Sequence, residues 1–125
     1  MLRFLSPEWI AALDSEARGF STEASFVFQQ VVTGCPDGES EIRYHLRFGD
    51  GCLSVHPGQA VEPDLTVTAA YPMAAALARG EVNAQQALTA GELRLSGNLK
   101  ALATQARALT QLADVFAAVR RDTDY

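Results

Sequence analysis

The stretch DLTVTAAYPMAAALARGEVNAQQALTAGELRLSGN, Asp64 to Asn98, decides the fold. Its first residues, Asp64 to Ala70, predict a strand with Leu65 and Val67 on one side and Thr66 and Thr68 on the other. Pro72 opens a short alanine-rich helix that Gly80 closes. Asn83 caps a second short helix, Gln86 stands where a capping box completes, and Gly91 ends it. Glu92 to Ser96 alternates again, Leu93 and Leu95 inward and Arg94 outward, between Gly91 and Gly97. Asn98 then caps the last element.

That element is a helix to about Arg120. Leu99, Leu102, Ala106, Leu109, Ala113 and Phe116 step by three and four along one face, widened by Leu112, Val115 and Val119. At 1.5 Å per residue it is about 33 Å long, enough to cross a small domain. Upstream, Ser6-Pro7-Glu8 starts a helix with Leu5 and Ile10 at staple positions, and it ends before Gly19. Thr22 to Thr33 is rich in β formers and ends in the turn Gly34 to Gly38. Glu41 to Phe48 sets Ile42, Tyr44, Leu46 and Phe48 against Arg43, His45 and Arg47, a strand with one wet face. Gly49-Asp50-Gly51 turns it into a third strand, Cys52 to His56. The reading is an α/β (α+β) fold: a three-strand meander, then strand, helices, strand and a long helix, as one domain over residues 1–125.

The chain carries 15 acidic and 10 Lys or Arg residues, a net charge of −5. A nucleic-acid binder needs a basic footprint, and the overall balance lacks one. No apolar run approaches the roughly 20 residues of a membrane span. Met1 to Ile10 does not read as a signal peptide, and Asp122 to Tyr125 is no peroxisomal address, so the expected location is cytoplasmic. Cys35 and Cys52 bracket a predicted strand, too far apart for a disulfide, and predict free thiols. Without Cys-x-x-Cys or clustered histidines, no metal and no cofactor is expected.

The strongest catalytic candidate is Ser54 with His56, with Asp64 near in sequence. Residues two apart on a strand lie about 6.5 Å apart, which predicts a strained hydroxyl–imidazole bond. No Gly-x-Ser-x-Gly elbow is present. The set reads as ordinary strand polars, and the chain as no enzyme. His45 between Arg43 and Arg47 reads as a solvated face, with a basic stripe meeting a phosphate or lipid head group as the alternative. Trp9 shares its helix with Glu8, Asp14 and Glu16, so core packing is expected over membrane contact.

The stretch from Pro63 to Asn98 resembles the sterol carrier protein 2 family. The pattern there is an acidic-led, threonine-rich strand (Asp64 to Thr68), a helix ending in Gly80, the Asn83-Ala84-Gln85 helix start, and the strand Gly91-Glu92-Leu93-Arg94-Leu95-Ser96-Gly97-Asn98. Arg94 replaces the usual lysine and Leu95 the usual isoleucine. The motif covers about 35 residues closely, and the rest of the chain agrees in element order. The resemblance implies a five-stranded, mostly antiparallel sheet with helices on one face and an apolar tunnel between them. Its implied wall is Phe26, Phe28, Ile42, Tyr44, Leu46, Leu65, Val67, Met73, Leu77, Leu88, Leu93, Leu95, Leu102, Leu109, Leu112 and Phe116.

The implied role is binding a fatty acid, acyl-CoA, phospholipid or prenyl compound without converting it, with at most transient membrane contact. The alternative is a non-catalytic scaffold for a partner enzyme in lipid, quinone or secondary metabolism, its tunnel closed by small residues such as Ala74, Ala75, Ala76 and Ala78. The alanine-rich, arginine-favouring usage resembles that of a high-GC bacterium, and most bacteria make no sterols, which argues against a sterol.

Overall fold

The computed structural model describes residues 2–23, 25–35, 41–82, 84–100 and 106–124; the side chains at 84, 85, 88, 106–110 and 112 lie outside that description. Ser6 caps helix α1 (Pro7–Ala17), its Oγ accepting the Trp9 N–H at 3.1 Å. Leu5 and Ile10, the two staple positions, are both buried. Strand β2 (Phe26–Thr33) begins later than its β formers predict, after Ser21 has made an isolated bridge to Cys52. Strands β3 (Glu41–Gly49) and β4 (Cys52–Pro57) are joined by a hairpin turn in which Asp50 and Gly51 both have positive φ, 53° and 80°.

Strand β5 (Leu65–Ala70) then inserts beside β2, not beside β4, giving the order β4-β3-β2-β5-β6 with β6 spanning Leu93–Gly97. The β2–β5 pair is parallel and the other three pairs are antiparallel. The chain must therefore cross β3 and β2 between Gly58 and Asp64. It does so on the sheet face that carries Arg43, His45 and Arg47, where buried Gln29 bonds to Gly58 and Ala60. The opposite, inner face carries Phe26, Phe28, Tyr44, Leu46, Phe48, Leu53, Val55, Leu65, Val67 and Leu93, all buried.

Helices cover that inner face. Helix α2 (Tyr71–Arg79) ends on Gly80 in the left-handed region, and Arg120 Nε donates to the Ala78 carbonyl at this terminus. Helix α3 (Ala84–Thr89) leads into β6; its expected cap, Asn83, lies outside the described residues. Gly97 has φ +98°, and a Cβ there would stand 2.6 Å from the Asp64 carbonyl oxygen, so the β5–β6 register needs glycine at this place.

The last helix departs from its sequence reading. Asn98 Oδ1 accepts the Lys100 N–H at 3.2 Å, the expected capping bond, but Leu99 and Lys100 form a turn and helix α4 is described over Ala106–Arg120. Leu99 is 53% exposed, so it does not belong to the buried face. Ala113 is exposed as well, and the buried line is Val115 and Val119, flanked by half-buried Phe116. The reason is the neighbour: α4 packs chiefly on α1 and α2, so the helices it meets select which part of its apolar stripe is buried. A second, two-stranded parallel sheet joins β1 (Leu2–Arg3) to β7 (Thr123–Asp124), which no sequence pattern announced.

Candidate functional site

Two features of the inner side are candidates for holding a ligand. The first is the layer between sheet and helices. Of the sixteen implied wall residues, Phe26, Phe28, Tyr44, Leu46, Leu65, Val67 and Leu93 are buried in the core. Ile42, Met73, Leu77, Leu95 and Phe116 are half-buried and pack against it. Leu102 lies outside the described residues, and the side chains of Leu88, Leu109 and Leu112 are not described.

An aromatic group organises one end of this layer. Trp9 is fully buried, edge-on to Phe4 at 4.9 Å and to Tyr44 at 5.6 Å, and stacked on Phe116 at 5.9 Å. Trp9 therefore bridges sheet, N-terminal segment and last helix. The core role expected for it holds, and the indole is not offered to a membrane.

The second feature is a groove of about 730 Å³ at that same end. Its apolar lining comes from Phe4, Leu5, Pro7, Ile10 and Ala11 on the N-terminal side, Ile42, Val55 and Pro57 on the strands, and Tyr71 at the start of α2. Arg3 and Arg43 add guanidinium groups, and His56 adds an imidazole. Asp14 is also present, but its Oδ1 accepts the Val55 N–H and its Oδ2 the Arg18 Nε–H, so both carboxylate oxygens are engaged within the protein. The volume lies within the range of small-molecule sites. Only Ile42 is shared with the implied wall.

Sequence reasoning missed Phe4, Leu5, Val55 and Tyr71 as site residues. The Leu5–Ile10 staple was the available signal, because it fixes how the N-terminal segment enters α1. Leu5 itself has φ 67°, a left-handed turn that lets Phe4 and Leu5 both be buried.

The outer sheet face holds the polar candidates, and one expectation is corrected there. Ser54 Oγ and His56 Nε2 share a hydrogen bond of 2.8 Å. The side chains lean towards each other along the strand, closing the gap that backbone spacing alone predicts to strain the bond. Asp64 is not part of this pair: its Oδ2 accepts the Val27 N–H at 2.7 Å on β2. His45 lies opposite His56 and stacks on it with ring centres 5.3 Å apart. His45 Nδ1 donates to the Gly58 carbonyl at 3.0 Å. Cys35 and Cys52 are free thiols, and no metal-binding group of three His, Cys, Asp or Glu occurs among the described residues.

No described helix is long and apolar enough to cross a membrane, which says nothing of membrane barrels. No curated protein sequence matches the chain. Among solved structures, a conserved hypothetical protein from Thermus thermophilus superposes with a TM-score of 0.74 at 19% identity, over 100% of this chain and 93% of that one. A crystal structure of sterol carrier protein 2 gives 0.70 at 17% identity, over 94% and 97%. Palmitated SCP2L2 from Aedes aegypti gives 0.60 at 22% identity, over 81% and 87%. At these identities the likeness is one of fold. The model of the SCP-2 sterol transfer family matches residues 10–111, and with most of its length covered by that match the chain belongs to the family.

Proposed function

We propose that the chain, acting as one domain over residues 1–125, binds a hydrophobic lipid-like molecule and carries or presents it without altering it. The classes that fit are a fatty acid, an acyl-CoA, a phospholipid or a prenyl compound. The observation that carries this reading is the groove of about 730 Å³, whose apolar lining continues into the sheet–helix layer through Ile42 and, by way of Phe4, reaches the Trp9 cluster. Membership of the family supports it, and the Aedes relative of the same fold is palmitated.

The sixteen-residue wall remains the proposed path for an acyl chain beyond the groove. Most of its described members are closely packed, so a chain entering there displaces side chains. Half-buried Met73 and Leu77, on the helix that also carries Ala74, Ala75 and Ala76, are the adaptable part of that wall.

Native mass spectrometry of the purified protein, with solvent extraction of co-purifying lipid and titration of a fluorescent acyl chain, tests the reading. Bound lipid or saturable binding is expected. Neither lipid nor saturable binding, together with recovery of a stoichiometric protein partner, would replace it with the scaffold reading.

A further inference from the structure

The outer face of the β3–β4 hairpin carries a constellation of which only His56 also borders the apolar groove. Arg47 lies directly opposite Ser54, and His45 directly opposite His56, all four on one face. Opposite residues on paired strands have Cβ atoms about 5 Å apart, and diagonal ones are within reach of long side chains. The register therefore sets Arg47, Ser54 and His56 at neighbouring positions on one surface.

Each member is held differently. His45 is fixed from behind, because a carbonyl can only accept: its Nδ1 must carry the proton given to Gly58, at 3.0 Å. The crossing loop therefore sets the His45 ring, and the stacked contact at 5.3 Å sets the His56 ring against it. Ser54 fixes the His56 tilt through the 2.8 Å bond. Arg43, two residues along from His45, is already committed to Glu41 and Gln59. Arg47 is exposed and, among the described residues, has no hydrogen-bond or ion-pair partner.

Glu41 is bonded to Arg43, and Asp50 lies in the hairpin turn beyond Gly49. The whole chain is acidic, with a net charge of −5, so a cluster of one arginine and two histidines is local in origin. An unengaged guanidinium on the same face as a bonded hydroxyl–imidazole pair suits an oxyanion, which the guanidinium can reach by a charge-assisted bond of about 2.8 Å. Among the described residues no carboxylate is bonded to His56, and Ser54 lies on a strand without a nucleophile elbow, so the pair suits binding better than acyl transfer.

We propose that Arg47, Ser54 and His56, with His45 stacked behind, form a binding site for a phosphate-class oxyanion on the outer face of the sheet. Phosphate in this sense covers both a small phosphate ester and the head group of an acidic phospholipid. The site shares His56 with the groove rim, but Arg47, Ser54 and His45 lie outside the groove lining, so the site stands without the lipid-carrier reading.

The chain has only two histidines, so ring-nitrogen NMR correlations resolve both directly. Inorganic phosphate is titrated into the protein at pH 7 against sodium chloride of equal ionic strength. The expected result is a saturable shift of the His56 ring, a smaller one for His45, and half-saturation on the order of 1 mM. Arg47→Gln and Ser54→Ala, each with an unchanged backbone spectrum, are expected to weaken binding by about fivefold or more. Co-sedimentation with phosphatidylcholine vesicles, with and without equimolar phosphatidic acid, separates the sources. Arg47-dependent binding to the acidic vesicles assigns a lipid head group, and phosphate saturation without it assigns a free ester. Shifts that match in chloride, or a full response retained in Arg47→Gln, would overturn the site.

Discussion

Gln29 accepts the Ala60 N–H on Oε1 at 2.7 Å and donates through Nε2 to the carbonyls of Tyr44 and Gly58, at 3.1 and 3.4 Å. The side chain is fully buried, although it lies on the sheet face opposite the helices. What buries it is the chain crossing from the edge strand β4 to β5. That crossing is what allows β5 to lie parallel to β2, and the one amide is bonded to both of its layers.

Replacing this amide leaves a buried backbone N–H without an acceptor and takes a donor from three carbonyls, those of Gln30, Tyr44 and Gly58. Gln29→Met, of similar size, is expected to destabilise the fold by about 1–3 kcal/mol, and Gln29→Ala by about 1 kcal/mol more for the lost volume. Urea unfolding reads this as a lower midpoint at constant slope. A Met variant within about 0.5 kcal/mol of the parent, on the scale of ordinary surface changes, would mean the crossing is held by other contacts.

Two glycines with positive φ separate backbone strain from steric clash. Gly91 has φ +78° with open space where a Cβ would stand, while Gly97 has φ +98° and the Asp64 carbonyl oxygen 2.6 Å from that position. Gly91→Ala is expected to cost about 1 kcal/mol, and Gly97→Ala about 2–4 kcal/mol because backbone must move. In thermal melts that is a fall of about 4 °C against about 8 °C or more. Equal losses would show that β6 yields freely at its end.

Glycine and proline positions made the Asp64–Asn98 region legible, because Pro72, Gly80 and Gly91 act locally, each on its own turn of backbone. Strand alternation at Ile42 to Phe48 was equally local, and the inner face obeys it. The illegible part is the part that depends on partners distant in sequence. Gln29 looks like any polar strand residue until Ala60 is placed over it. Phe4 and Leu5 form a groove wall only because Leu2–Arg3 is pinned by Thr123–Asp124. The face of α4 was misjudged at Ala113 for the same reason: a 3.6-residue period gives a stripe, but the neighbour selects which edge of it is buried. Ser54 and His56 were placed on one face correctly and denied their bond by treating side chains as perpendicular to the strand.

Asp14 caps an open sheet edge. β4 pairs with β3 on one side, and on the other the Asp14 Oδ1 accepts the Val55 N–H at 2.9 Å. Edge N–H groups left open invite pairing with other chains. Asp14→Ala is expected to cost about 1–2 kcal/mol and to speed hydrogen exchange at the Val55 amide, whereas Arg18→Ala, which removes only the exposed ion pair, should cost less than about 0.5 kcal/mol. Protection of Val55 that survives Asp14→Ala would show the carboxylate to be dispensable at that edge.

The groove and the implied inner wall predict different consequences for ligand binding. Ala11 lines the groove, yet its own side is exposed, so Ala11→Phe fills groove volume without disturbing the core. Leu95, half-buried on the inner face of β6, belongs to the wall and not to the groove lining. If an acyl chain lies in the groove, Ala11→Phe is expected to weaken binding of a fluorescent fatty acid by about tenfold, while Leu95→Ala changes it by less than about threefold. Trp9, the one tryptophan of the chain, reports the same geometry independently. Its ring contact with the groove residue Phe4 places it close enough for saturable quenching by a spin-labelled fatty acid bound there. The opposite order of the two variants, with Leu95→Ala the more damaging, would move the ligand into the sheet–helix layer. Trp9 quenching would then have to arise from its other neighbours in that layer, Tyr44 and Phe116, and Phe116→Ala would be the variant that enlarges the space for the chain and tightens binding.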